Sequence, residues 1–270
     1  MTILSSQLTD SEYQVMKARL IHPLKTIAVT LALVLWLPNT VYAQKETLEF
    51  AAIENSPIQD VAILVVDKLF KHIKQPISVE RLPAKRARFY LKNGFKDGEV
   101  LRVFDYGEKN NTNVLRVPTP YYEVKTIAFV EKHNEIQINS VNDLYGHRIA
   151  KLRGHIHSSQ TLQNAPKNQE IYDVETMIQA FHMLRKNRVD IALLNSFDGR
   201  ATLSKLNITD ILPIQTTLAK RDLFIYLHRK HHHLVKALDE TVMELKANGE
   251  LERMIDQAEK AVINELANPS

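Results

Sequence analysis

ETMIQAFHMLRKNRVDIALLN (Glu175–Asn195) reads as a helix that runs into a strand, with Lys186-Asn187-Arg188 between them. Its apolar residues are spaced for one buried helix face first, then crowd into the short run VDIALLN. Just before it, SVNDLYGHRIAKLRGHIHS (Ser140–Ser158) gives a short helix, a turn, the strand HRIAKLR and a second turn at GHIHSS. Helix and strand alternate again on both sides, and that alternation marks an α/β domain with a mostly parallel sheet.

Toward the N-terminus, TLEFAAI (Thr47–Ile53) is a strand, and Asn55, Ser56 and Pro57 signal the turn into the helix IQDVAILVVDKLFKHI. ISVERL is a strand. PAKRARFYLKNG is a helix opening on Pro83 and closing on Gly94, and DGEVLRVF is a strand. Toward the C-terminus, TIAFVEK and DLFIYLHRK are strands, followed by the helices HHHLVKALDETVMELKAN and ELERMIDQAEKAVINELA. No internal repeat or low-complexity segment interrupts the pattern.

The chain has 270 residues, 44% hydrophobic and 24% charged, with a net charge of +4 and no cysteine. That is ordinary globular composition, with enough length for two modest domains and no disulfide or thiol chemistry. Residues 1–43 read as a secretory signal peptide, and the peptide reads more naturally from Met16. Lys17, Arg19 and Lys25 precede the apolar run Ile27–Leu37, and Val41 and Ala43 occupy small-residue cleavage positions. The alternative is a membrane anchor, but the apolar run spans only about half of a hydrocarbon core and Pro38 follows it. The expectation is therefore a periplasmic protein whose mature chain begins near Gln44.

Four segments together resemble the bacterial periplasmic solute-binding proteins that serve polar amino-acid ABC transporters (solute-binding protein family 3). They are VPTPYYEVKTIAFVEK, SVNDLYGHRIAKLRGHIHS, ETMIQAFHMLRKNRVDIALLN and ALDETVMELKANGELERMID, in the family's order and spacing. The resemblance implies a type II periplasmic-binding fold with two α/β lobes. Lobe 1 would be residues 44–128 plus 218–270, lobe 2 residues 129–217, with a ligand cleft between them. It implies a monomer without cofactor that captures a small polar or anionic solute for an inner-membrane ABC permease or a sensor protein. Alternatives are a periplasmic enzyme of dehydratase type on the same fold, with Glu54 or His155 as acid or base, and a regulatory protein without a ligand. No nucleophile elbow, zinc-protease motif or phosphate-binding Gly-rich loop is present.

Candidate ligand-binding residues follow from the strand ends. Arg153, Gly154 and His155 form a turn able to cradle an anion, with the two-pronged Arg153 guanidinium and free N–H groups. The alternative for Arg153 is a surface salt bridge, and His157 is assigned a structural role. Glu54 ends the first strand, Tyr121 and Tyr122 can stack on a ligand, and Arg86 and Arg102 add positive charge. Lys85 and Arg88 share a helix face that is read as solvated.

Relatives that bind amino acids usually end the VDIALLN strand with an aspartate that takes the ligand's ammonium. Here Asn195 and Ser196 stand there, and DYGEKNNTN lacks the family's Thr-x-x-Arg motif. An amide removes that charge and leaves a neutral donor and acceptor, which marks the chain as an outlying member. His155, His157 and the run His231–His233 lack the ligand spacing of a defined metal site. The basic run at 85–88 is short and without interleaved aromatics, so no nucleic-acid partner is expected.

Overall fold

The computed structural model describes residues 45–106, 113–154 and 156–268. The signal-peptide reading of residues 1–43, His155 and most of the loop after Tyr106 lie outside the described residues. No described helix is long and apolar enough to cross a membrane.

The chain order is β1 (Leu48–Ile53), α1 (Pro57–His72), β2 (Ile77–Leu82), α2 (Ala84–Lys92), β3 (Gly98–Val103), β4 (Val114–Arg116) and β5 (Tyr122–Glu131). Then come β6 (Ile149–Leu152), α3 (Ile156–Thr161), β7 (Ile171–Val174), α4 (Met177–Arg185), β8 (Ile191–Asn195) and α5 (Ser196–Lys205). β9 (Ile211–Pro213), β10 (Ala219–His228), α6 (His232–Ala247) and α7 (Glu250–Ala267) complete it. SVNDLYG forms a 3-10 turn over Val141–Leu144, closed by a reciprocal Ser140–Asp143 capping box.

The strands join in the order β2-β1-β3-β10-β5-β8-β6-β7, with β4 on β10 and β9 on β5. β1 pairs in parallel with β2 and β3, and β6 with β7 and β8. Between these parallel triplets, β10 and β5 run antiparallel to each other and to their outer neighbours. The expected parallel sheets are therefore present, fused edge to edge through two long antiparallel strands.

Each triplet has its own core. α1 turns Val61, Ala62, Val65, Val66, Leu69 and Phe70 onto the sheet at helical spacing, and the Phe70 ring meets Phe50 edge-on at 5.0 Å. α6 and α7 add Leu238, Val242, Met254 and Val262 to this cluster. β5 is buried on both faces: Ile127 and Phe129 point to α4, while Ala128 and Val130 point to Leu144 and Leu162. Successive residues facing opposite sides account for the continuous apolar runs of TIAFV and IALL. α5 belongs to both cores, with Phe197 and Ala201 in the first and Leu203 in the second.

Gly98 shows how tightly β3 is fitted. A Cβ there would lie 2.2 Å from the Phe50 ring and 2.7 Å from the Tyr226 carbonyl oxygen. Gly98→Ala is expected to cost about 1–3 kcal/mol by overpacking. It should appear as a lower urea midpoint at unchanged slope; an unchanged midpoint would show that β10 can yield.

Candidate functional site

A cleft of about 1090 Å³ opens at the carboxyl ends of β1, β3, β6 and β8. This is where ligands sit in open α/β sheets, because loops and helix N-termini converge there. One wall carries Glu54, Ser56, Lys85, Arg88, Arg102 and Tyr106; the other carries Gly154, His157, Glu175, Thr176, Asn195, Asp198 and Lys205.

A buried charge network stiffens the first wall. Glu99 bonds the Arg102 guanidinium and accepts the Tyr106 hydroxyl at 2.6 Å, with the Glu99 and Arg102 side chains 2% and 12% exposed. Arg102 and Arg88 lie over the Tyr106 ring at 4.7 and 5.0 Å, and Arg88 Nη2 also donates to the Tyr106 carbonyl at 3.1 Å. Burial and the Glu99 charge push the Tyr106 hydroxyl far up, so it remains a donor. Arg102 thus enters the cleft already neutralised by Glu99.

On the second wall, Asn195 caps α5, its Oδ1 accepting from Asp198 N at 2.7 Å. Its Nδ2 donates to Asp198 Oδ2 at 2.6 Å. Asp198 Oδ1 accepts from Ile58 N at 2.7 Å, and Ser56 Oγ donates to Oδ2 at 3.4 Å. Ser56 makes no cap for α1 itself, so the α1 N-terminus is capped by a carboxylate from α5. Asp198 is 2% exposed, and burial raises its carboxyl to about 6. Thr176 caps α4, accepting from Gln179 N at 3.1 Å. α2 begins at Pro83 without a side-chain cap.

No protein-family model matches the chain. An uncharacterised protein of Shewanella oneidensis is 31% identical over 189 residues, covering 67% of this chain and 69% of that protein. The chain belongs to that protein's family. Solved structures share the architecture at low identity. A histidine kinase sensor domain with similarity to periplasmic binding proteins aligns at TM-score 0.62 and 15% identity, covering 79% of this chain and 96% of that one. A Streptococcus pneumoniae amino acid ABC transporter substrate-binding protein, bound to L-arginine, gives 0.60 and 16%, covering 83% and 98%. The GluR0 ligand-binding core complexed with L-glutamate gives 0.66 and 11%, covering 80% and 99%. The fold is the two-lobe fold of the periplasmic binding proteins.

Within this fold the structure brings Glu54, Arg102, Gly154 and Asn195 to the cleft. Gly154 adopts φ +74, a left-handed turn that favours glycine, and nothing would meet a Cβ there. Other candidates lie elsewhere. The Arg153 side chain is 65% exposed and pairs with Glu175 at 3.1 Å, the salt-bridge alternative. Arg86 is exposed on α2 and does not line the cleft, whereas its neighbours Lys85 and Arg88 do. Tyr121 is 2% exposed, its hydroxyl spent on the Val100 carbonyl at 2.7 Å. Tyr122 donates to Glu259 and, with Ser196, lines a separate hollow of about 310 Å³.

His157, expected to be structural, stands on the cleft wall. His231 lies away from it, bonded to Asp97 at 2.7 Å. Among the described residues no three His, Asp or Glu side chains converge as a metal site. Asp198 is the residue the sequence reading missed. Its signal was the spacing of Asn195 and Asp198 in NSFD, an N-cap residue followed by an acid in the first helical turn.

Proposed function

We propose that the chain is a periplasmic solute receptor. It binds a small polar solute carrying an anionic group between two lobes, residues 44–128 with 218–270 and residues 129–217, and presents it to a membrane transporter or sensor. One observation supports the anionic group above the others. The α1, α4 and α5 N-termini at the cleft are capped by Asp198, Thr176 and Asn195, whereas α2 starts without a side-chain cap and carries Lys85 and Arg88. Lys85, Arg88 and Lys205 have no carboxylate partner within ion-pair distance among the described residues. An uncapped helix start beside two cations without a carboxylate partner is an anion seat.

Glu54, exposed at the end of β1, supplies an acceptor for a donor elsewhere on the solute. Asn195 has both halves of its amide engaged with Asp198, and the Asp198 oxygens are taken by Asn195, Ile58 and Ser56 rather than offered to an ammonium group. A carboxylate or phosphate compound without an α-amino group therefore fits the cleft better than a simple amino acid.

The test is thermal unfolding of the purified chain against amino acids, carboxylates, phosphates, polyamines and sugars. A ligand at about 100 times its dissociation constant adds about 2.7 kcal/mol of stability. Lys85→Ala is expected to weaken the anionic hit roughly tenfold to hundredfold, the worth of one charge-assisted hydrogen bond. Recovery of the compound unchanged separates binding from turnover. A flat response across the whole panel would overturn the reading and favour a protein that acts through protein contacts.

A further inference from the structure

We propose that Asp198 is a latch between the walls of the cleft: from α5 it holds the N-terminus of α1, and its charge state sets how readily the walls separate. The inference rests on the reading of the cleft as a closing site, and it adds the control of that closing.

Four observations carry it. Asp198 reaches across 140 residues of sequence to accept the Ile58 N–H at 2.7 Å, and Ser56 adds a second donor from the same turn. The carboxylate replaces a local cap that α1 does not make for itself, so separating the walls uncaps that helix. Asn195, at the end of β8, holds the carboxylate from the other side at 2.6 Å, which fixes its aim. α5 is also the helix shared by the two main cores, so Asp198 sits where the two walls are joined.

The latch responds to pH with a defined sign. Inside the contact the Asp198 carboxyl is held at about 6 by burial, offset by its three donors. Separation returns it to water and to the ordinary carboxylate range near 3.8. The joined state therefore binds the proton more tightly. Acid favours joined walls, and that advantage is lost as pH rises through the joined-state value. Few other charges face the group: Asp60 on α1, itself paired with Arg81 at 2.7 Å, and Tyr122 on β5, whose hydroxyl is taken by Glu259 of α7. β8 and β9 carry no charged residue, and His182 and Arg185 of α4 face solvent. Between about pH 5 and about pH 8 the ratio of joined to separated molecules is expected to fall about tenfold.

The absence of cysteine makes the test direct. Lys92→Cys at the end of α2 and Lys186→Cys just after α4 are both at exposed positions and accept spin labels. Pulsed distance measurement on the full chain, with no solute added, should show a longer-distance population that grows from about pH 5 to about pH 8. In Asp198→Asn, which cannot titrate, the distribution should not change with pH. In Asn195→Ala, which takes one donor from the carboxylate, the midpoint should move to higher pH, and this arm stands if Asp198→Asn fails to fold. A distribution independent of pH in the unsubstituted chain would mean that Phe197 and Ala201 hold the walls and Asp198 merely caps α1. The same pH dependence in Asp198→Asn would assign it to another group. Either result overturns the latch and leaves the solute reading to its own test.

Discussion

Glu99→Ala is expected to destabilise the chain by about 3–5 kcal/mol, measured by urea unfolding near neutral pH. The cost comes from what the substitution leaves behind. The Arg102 guanidinium is only 12% exposed, and it would lose its carboxylate while remaining under the Tyr106 ring. The Tyr106 hydroxyl would lose its acceptor as well. A buried cation without a partner is far costlier than the net worth of the pair it came from. Replacing both partners, Glu99→Leu with Arg102→Met, should accordingly cost much less than Glu99→Ala alone. A loss below about 1 kcal/mol for the single variant would show that water reaches the guanidinium through the cleft.

Phe129→Ala is expected to cost a comparable amount, about 3–5 kcal/mol, for a different reason. The ring is fully buried on β5, 5.6 Å from Phe181 and tilted 64° to it. It also fills the space above Gly199, where a Cβ would come within 2.2 Å of the ring. Removing the ring therefore leaves a cavity under α5, the helix that carries Asp198. The variant should unfold at lower urea and also lose affinity for an anionic solute, since α5 is no longer seated. Loss of stability with unchanged affinity would show that α7 alone positions α5.

The long apolar helices and the buried strands were legible in the sequence because one element decided their pattern. VDIALLN became the buried β8, and the alternating ISVERL became the edge strand β2, with boundaries within two residues. α5 was not legible. SFDGRATLSK has a glycine near its middle and no clean apolar stripe, because its buried residues serve two cores on different faces. β4, β7 and β9 are three or four residues long and owe their existence to partner strands.

The site was legible in part for similar reasons. Glu54, Arg102, Gly154 and Asn195 stand at or near strand ends, and strand ends locate the cleft. Adjacent tyrosines cannot both face one way, and here neither faces the cleft: Tyr121 closes onto Val100 and Tyr122 onto α7. Arg86 and Arg88 sit half a helical turn apart, so a one-residue choice decided which of them was assigned to the site. Asp198 depends on a helix start 140 positions away, which no local pattern records.

The rung between β5 and β10 has one more consequence. Ala219 stands directly opposite Thr126, and the pairing continues inward to Leu223 opposite Tyr122. Residues 127–218 therefore depart from and return to a single point of the ladder, as the turn of a hairpin does. In topological terms they stand where a hairpin turn would, enlarged into a folded body. The register of β10 against β5 does not depend on how long that body is. Exchange of the intervening segment could therefore remodel half of the cleft without disturbing the strands that hold the other half.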